Sequence, residues 1–142
     1  MYAQRFQDLM VYQDTRNVAK CIFEISKQFP PEERYSLTDQ VRRSSRSIGG
    51  QIAEAWAKRA YPNHFKSKLT DADGEQRETQ HWVETAMDCQ YVSVDEGARV
   101  LTSLENIGKK LQRMIDKADQ FCNSSNLMHE DDSVEYLVNG EQ

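Results

Sequence analysis

The residues that come closest to metal chemistry are Glu78 and His81, which form an E-x-x-H motif. On a helix, this spacing presents two metal ligands on one face, as in the four-helix di-iron proteins. Such a site also needs a second E-x-x-H and a glutamate from each of two other helices. The remaining histidines, His64 and His129, cannot complete a second pair. We therefore predict that the protein holds no metal ion and uses no cofactor.

Other routes to catalysis have no matching pattern in the sequence. A G-x-S-x-G turn for a nucleophilic serine is absent. The adjacent Gly49 and Gly50 lack the G-x-x-x-x-G-K-[ST] spacing of a phosphate-binding loop. The three cysteines, Cys21, Cys89 and Cys122, are too widely spaced for a zinc site or a disulfide framework. We predict a protein that is not an enzyme, has no catalytic residues and resides in a reducing compartment.

Charged residues are segregated along the chain in a way that suggests a binding surface. Residues 42–68 contain seven lysines and arginines and only one acid, whereas residues 71–90 contain six acids and only one arginine. A cluster of cations attracts phosphate groups, so RNA or DNA is one expected partner. A solvated surface or pairing between subunits is the alternative, and the sequence favours it. The candidate nucleic-acid-binding residues are Arg42, Arg43, Arg46, Lys58 and Arg59.

Four stretches of the chain carry apolar or small residues that recur mostly every three or four positions, the spacing of one helix face. Their members are Val11, Thr15, Val18, Ile22, Ile25 and Phe29; Leu37, Val41, Ser44, Ile48, Ile52 and Ala55; Phe65, Leu69, Ala72, Gln76, Thr79, Val83 and Ala86; and Val94, Ala98, Leu101, Gly108, Leu111, Ile115 and Ala118, with Leu104, Ile107, Met114 and Phe121 widening the fourth. The connections between the stretches are short, which makes neighbouring helices antiparallel. The predicted fold is all-α, an antiparallel up-down-up-down four-helix bundle.

Local signals place the ends of these predicted helices. Pro30 and Pro31 end the first helix, because proline lacks the amide donor and restricts the residue before it. Ser93 and Glu96 form an S-x-x-E capping box, which predicts the start of the fourth helix.

The second predicted helix is rich in small residues and contains Gly49 and Gly50. Two glycines inside a helix cost about 1 kcal/mol each relative to alanine, so we expect a close approach to another helix or a local bend.

Four residues are candidates for a subunit interface. Aromatic and arginine residues are enriched where proteins meet, which favours Tyr12, Trp56 and Arg43. Arg43 and Glu54 lie three turns apart on one predicted helix and project in similar directions, so both can pair with a neighbouring helix or with a second subunit. Packing at the edge of the core is the alternative for the aromatic residues.

The chain of 142 residues divides into a body and a tail. Residues 1–122 form the bundle domain and contain equal numbers of acids and bases, whereas residues 123–142 contain five acids and no lysine or arginine. We expect this acidic C-terminal tail to be flexible. No apolar run is long enough for a membrane span, and the N-terminus has no apolar signal core. The expected location is the cytoplasm, with no membrane partner.

Several sequence segments resemble one family of bacterial proteins. The matching segments are Phe6-Gln7-Asp8-Leu9-Met10-Val11-Tyr12, Phe29-Pro30-Pro31-Glu32-Glu33-Arg34-Tyr35-Ser36-Leu37, Gln40-Val41-Arg42-Arg43-Ser44, Ser47-Ile48 and Ile52-Ala53-Glu54-Ala55. In this order they resemble the four-helix-bundle proteins first found encoded within intervening sequences of bacterial 23S ribosomal RNA genes. The resemblance covers about residues 5–121 and is most specific in the first half.

The resemblance implies an antiparallel bundle that assembles as a ring of five subunits and has no known catalytic residues. A related branch, the accessory variability proteins of diversity-generating retroelements, binds nucleic acid and a reverse transcriptase through basic surfaces. This chain differs from the family pattern at Gly49, Gln51 and Ala55, and its tail is an addition. Our leading hypothesis is a homo-oligomeric assembly or interaction module. The alternatives are a nucleic-acid-associated accessory protein that uses residues 42–68, and binding of a protein partner that the sequence does not identify.

Overall fold

The computed structural model describes residues 3–122, which form four long helices and one short helix without a β-strand. The long helices are α1 (Met10–Ser26), α2 (Leu37–Ala57), α3 (Pro62–Asp88) and α4 (Val94–Asp116). The short α5 (Ala118–Cys122) follows α4, and single 3₁₀ turns occupy Phe6–Asp8 and Pro31–Glu33. The all-α prediction is confirmed. The predicted acidic tail, residues 123–142, lies outside the described part of the chain.

Where successive helices touch, residues near the start of one helix contact residues near the end of the next. Arg43, near the start of α2, pairs with Glu78 in the second half of α3, whereas Glu54 near the end of α2 pairs with Lys68 near the start of α3. The same inverse order occurs in the contacts Ser26–Arg42, Thr15–Gly49, Met87–Gly97, Gln76–Gly108 and Asp14–Lys110. In these contacts each of the helices α1 to α3 runs antiparallel to the helix that follows it.

The apolar stripes of α2 and α3 are confirmed at every predicted position. Their predicted members are all buried, including polar Ser44, Gln76 and Thr79. The hydroxyl oxygens of Thr79 and Ser44 lie 2.8 Å apart at the α2–α3 contact, so each buried hydroxyl has a partner. This pairing explains why the core accepts polar residues here, since an unpaired buried polar group is costly.

The predicted stripe of α4 is wrong for its first members, although Leu111, Ala118 and the four residues expected to widen the stripe are buried. Val94 is 71% exposed and Ala98 is exposed, although both were assigned to the buried face. The buried residues of α4 are Gly97, Val100, Leu104, Ile107, Leu111 and Met114. The helix carries two adjacent apolar rows, and the row with the larger side chains enters the core because it removes more apolar surface from water.

The first helix ends earlier than its prolines predicted. Helix α1 stops at Ser26, and the amides of Lys27, Gln28 and Phe29 donate to carbonyls three residues back. Phe29 therefore lies in the connection, where its ring packs 5.6 Å from that of Tyr91. A residue before proline is disfavoured in the helical conformation, so the chain leaves the helix before it reaches Pro30.

The ends of α3 and α4 have different caps. Ser93 caps α4 as predicted, because its hydroxyl oxygen accepts a hydrogen bond of 3.1 Å from the Glu96 amide. Helix α3 ends in a Schellman motif, in which the amides of Gln90 and Tyr91 donate to the carbonyls of Met87 and Ala86. Gln90 has φ of 62°, a left-handed conformation that glycine usually supplies.

Candidate functional site

Helices α1 and α2 are in close contact at Gly49. A β-carbon at this position would lie 2.9 Å from Thr15 Oγ1 and 3.4 Å from Tyr12 Cε1. Thr15 is buried, and its hydroxyl donates a 2.6 Å hydrogen bond to the Tyr12 carbonyl, which fixes the side chain. The predicted close approach of α2 to another helix is therefore confirmed, and α2 continues through both glycines as one helix.

A groove of about 340 Å³ runs along this contact and is named here the α1/α2 groove. Its lining residues are Tyr12, Thr15, Arg16, Ala19, Lys20, Phe23, Ser45, Arg46, Gly49 and Gly50. The charged members, Arg16, Lys20 and Arg46, are all cations, and none of the lining residues is an acid. A β-carbon at Gly50 would meet no atom within 4 Å, so a side chain at this position would project into the open groove.

Phe23 holds two arginines of α2 beside the groove. The guanidinium carbon of Arg42 lies 4.7 Å from the centre of the Phe23 ring, and that of Arg46 lies 5.7 Å from it. Arg42 also donates a 2.7 Å hydrogen bond from Nε to the Ser26 hydroxyl. A cation over an aromatic face is attracted by the negative face of the ring, so Phe23 keeps both guanidinium groups next to α1.

Tyr12 and Arg16 form the other end of the groove. Arg16 donates from Nη1 to the Tyr12 hydroxyl oxygen at 3.3 Å, and the Tyr12 ring packs edge-on against Phe6 at 4.9 Å between centroids. The groove thus combines guanidinium and ammonium donors with the faces of two aromatic rings. Groups of these kinds are suited to an anionic or aromatic ligand.

The structure separates the five predicted nucleic-acid-binding residues into three places. Arg42 and Arg46 lie beside the groove, whereas Arg43 turns towards α3. Lys58 and Arg59 follow the end of α2, far along the helix from the groove cations. The five residues therefore do not form one surface within the protomer.

Arg59 belongs to the end of the bundle where α2, α3 and α5 meet. Its guanidinium carbon lies 3.7 Å from the centre of the Trp56 ring, and Nε donates a 3.0 Å hydrogen bond to the Trp56 carbonyl. Burial lowers the pKa of Arg59 from its usual value, and the group remains a cation at neutral pH. Trp56 itself packs on Phe121 and is only 8% exposed, so its ring offers little area to a second subunit.

The other predicted interface residues also have neighbours within the chain. Arg43 pairs with Glu75 at 3.4 Å and with Glu78, and Glu54 pairs with Lys68 at 3.7 Å. The opposed charge blocks of α2 and α3 therefore meet at least partly within one protomer. Tyr12 differs from Arg43, Glu54 and Trp56 because it lines the α1/α2 groove.

The E-x-x-H motif has structural partners. Glu78 accepts a hydrogen bond from Trp82 Nε1 at 3.1 Å in addition to its pairing with Arg43. His81 is exposed and lies against the Trp82 ring, with 4.7 Å between ring centres. Within residues 3–122, no three or more histidines, cysteines or acids are grouped in a way that could hold a metal ion.

Sequence analysis missed Arg16 and Lys20, the cations that α1 contributes to the groove. The available signal was their spacing: four residues apart, they project from the same face of the first helix. They were overlooked because they are separated in sequence from the basic stretch of α2. Only the packing of α1 against α2 brings the two sets together.

A second cleft, of about 470 Å³, lies on the other side of α1, between α1 and α4. Its charged lining residues have both signs: Asp14 and Glu96 are acids, whereas Arg99 and Lys110 are bases. Lys110 pairs with Asp14 across the cleft, which joins the two helices. The α1/α4 cleft therefore differs in charge from the α1/α2 groove, although both clefts flank the same helix.

Among the helices within residues 3–122, none has the length and apolar character needed to cross a membrane.

Comparisons with known proteins agree with this helical architecture. No curated protein matches the chain. A crystal structure of a protein of unknown function from the S23 ribosomal protein family of Bacteroides thetaiotaomicron VPI-5482 is similar, with a TM-score of 0.67 and 26% sequence identity. The match covers 74% of this chain and 97% of that chain.

A family model described as 23S rRNA-intervening sequence protein matches residues 7–113, which is more than half of the chain. The matched region includes the four long helices almost completely, together with both clefts that flank α1. The resemblance noted in the sequence is thereby confirmed: the chain belongs to the 23S rRNA-intervening sequence protein family.

Proposed function

We propose that this protein is a non-enzymatic interaction module that assembles into a homo-oligomer, a ring of five subunits, and binds its partner in the α1/α2 groove. The observation that carries the proposal is the distribution of charge around α1. On one side of the helix the groove has only cations, and on the other side the cleft has both signs. A cationic surface repels a copy of itself and attracts an anionic partner. A surface that carries both signs can complement a second copy of the chain.

The α1/α4 cleft is the proposed contact between subunits. Its acids, Asp14 and Glu96, and its bases, Arg99 and Lys110, can pair with groups of opposite sign on a neighbouring copy. The number five comes from the family resemblance. The cytoplasmic location and an unidentified protein partner stay predictions from the sequence.

Light scattering coupled to size-exclusion chromatography tests the assembly. We expect a mass five times the 16.5 kDa of one chain. Arg99→Glu adds a third acid to the cleft and removes one of its bases, so it should lower the oligomer mass. Arg77→Glu is the matched control, because Arg77 is exposed on α3, outside both clefts. A monomer at high concentration contradicts the oligomer, and an equal effect of both variants contradicts the choice of cleft.

A second candidate function is association with single-stranded RNA or DNA. The observation that favours it is the row of cations Arg16, Lys20, Arg42 and Arg46 beside the rings of Tyr12 and Phe23. Proteins that bind single strands combine cations that follow the phosphates with aromatic faces on which bases stack. The groove and the adjoining Arg42 supply both kinds of group between two helices.

Fluorescence anisotropy with a labelled single-stranded RNA tests this candidate. If all four cations contact phosphates, a plot of the logarithm of the binding constant against the logarithm of the salt concentration should have a slope of roughly −3. The double substitution Lys20→Glu and Arg46→Glu should abolish binding, whereas Lys109→Glu on the exposed face of α4 should leave it largely intact. Absence of binding at low salt, both by the wild-type chain and by a variant in which Glu130, Asp131 and Asp132 are replaced by their amides, would eliminate the nucleic-acid function.

A further inference from the structure

The chain beyond α5 carries an excess of negative charge that the body of the protein does not balance. Residues 123–142 contain five acids and no lysine or arginine, and three of the acids, Glu130, Asp131 and Asp132, are consecutive. The groove has the opposite excess, because its charged lining residues are all cations. We propose that the acidic segment 130–135 binds in the α1/α2 groove of its own chain and so competes with any anionic partner.

The acidic segment can reach the groove from the place where α5 ends. Phe121 lies against Trp56 near the end of α2, with 6.4 Å between ring centres. Arg46 precedes Trp56 by ten residues of α2, which is about 15 Å along the helix. Glu130 is eight residues beyond Cys122, and an extended chain of this length spans about 26 Å. The extended chain's span of about 26 Å exceeds the sum of the roughly 15 Å along α2 and the roughly 10 Å needed to pass across the width of one helix.

The spacing of charge in the tail matches this distance. Residues 123–129 contain no acid, lysine or arginine, so the first carboxylate is eight residues beyond Cys122. Arg59 and Lys66 lie close enough to Cys122 for their charges to act on its thiol. If the acids of the tail paired with Arg59 and Lys66, the seven residues without acid, lysine or arginine between Cys122 and Glu130 would not be needed. Arg59 is also already packed over the Trp56 ring.

The chemistry of the segment fits the groove in its apolar part too. Val134, Tyr136 and Leu137 lie within and beside the acidic segment, and the groove offers the rings of Tyr12 and Phe23. The carboxylates and the apolar side chains of this segment can therefore meet cations and aromatic faces together. Because the segment is tethered, its effective concentration is in the millimolar range, so even weak binding fills the groove.

Glycine amide signals in nuclear magnetic resonance spectra of the full-length protein test the proposal. Gly49 and Gly50 report on the groove, whereas Gly74 and Gly108 lie on α3 and α4. A tail-neutral variant removes three charges. Its substitutions are Glu130→Gln, Asp131→Asn and Asp132→Asn. We expect the Gly49 and Gly50 signals to shift in this variant while those of Gly74 and Gly108 stay in place.

A second variant controls for the change in net charge. It removes three exposed acids of α3, outside the groove, by Asp71→Asn, Glu84→Gln and Asp88→Asn. We expect no shift at Gly49 or Gly50 in this control. Raising salt should shift both signals in the wild-type protein towards their positions in the tail-neutral variant, because salt screens the pairing. Unchanged groove signals in the tail-neutral variant overturn the proposal.

Mixed samples separate the protein's own tail from that of a neighbouring subunit. Isotope-labelled tail-neutral chains are refolded with an excess of unlabelled wild-type chains. If the tail binds in its own protomer, the labelled Gly49 and Gly50 signals keep their shifted positions. A return to the wild-type positions means that a neighbouring copy supplies the segment, which overturns binding within one chain. The test contains no nucleic acid, so its outcome is independent of the nucleic-acid function.

Discussion

Substitution of the two adjacent glycines of α2 by alanine should have opposite effects on stability. Alanine is favoured over glycine inside a helix by about 1 kcal/mol, and Gly50→Ala should gain this amount because nothing lies within 4 Å of the new β-carbon. Gly49→Ala gains the same preference but places its β-carbon 2.9 Å from Thr15 Oγ1. Overpacking of this kind costs about 1–3 kcal/mol. The net effect of Gly49→Ala is a loss of about 1 kcal/mol, so the two variants should differ by about 2 kcal/mol.

Urea unfolding followed by helix circular dichroism, at one protein concentration, measures this difference. The clash has an identifiable source, since the Thr15 hydroxyl is fixed by its 2.6 Å hydrogen bond to the Tyr12 carbonyl. Thr15→Ala removes that hydroxyl, so Gly49→Ala should cost less in the Thr15→Ala background than in the wild-type protein. Equal stabilisation by Gly49→Ala and Gly50→Ala would show that α1 and α2 are not in close contact at Gly49.

Three further predictions concern the ends and the core of the bundle. Gln90→Gly should raise the free energy of unfolding by up to about 1 kcal/mol in urea titrations, because glycine accepts the φ of 62° without strain. Hydrogen bonds from the hydroxyls of Ser36 and Tyr91 hold the pKa of Glu33 below its usual value, so their stabilisation is present above about pH 4.5 and is lost as the pH falls through the lowered pKa. The stability difference between the wild-type protein and Tyr91→Phe, measured at pH 7 and at pH 3, should therefore shrink in acid. Thr79→Val should destabilise the protein by about 1–2 kcal/mol in thermal or urea unfolding, because it removes a buried hydroxyl that has two partners.

The fold was predictable where one helix face is much more apolar than the others. In α2 and α3 the predicted row of apolar and small residues is buried throughout, and no second row of large aliphatic side chains competes with it. Helix α4 has two neighbouring rows, one with Leu101 and Ile115 and the other with Leu104 and Met114. Periodicity alone cannot rank two such rows, because both repeat at helical spacing. The choice depends on which side chains fill the space between the other three helices.

The candidate site was less predictable because it is formed by two helices. Arg42 and Arg43 are adjacent in sequence, but successive residues of a helix point about 100° apart, so one turns towards α1 and the other towards α3. Grouping cations by their position in the chain therefore combined residues that the fold separates. It also omitted Arg16 and Lys20, which only the register between α1 and α2 brings opposite Arg46.

Net charge is a poor guide to what this protein binds. Residues 1–122 contain equal numbers of acids and bases, which taken alone would argue against a polyanionic partner. Charges separated by more than about 8 Å are largely screened at physiological salt, so a ligand responds to the groups around its site and not to the sum over the chain. The acids of α3 compensate Arg43 on one side of α2, whereas the α1/α2 groove on the other side has no acid in its lining. By the same screening, a tail with five acids influences the groove only through direct contact, so the proposed binding of the tail would control the entry of an anionic partner by contact.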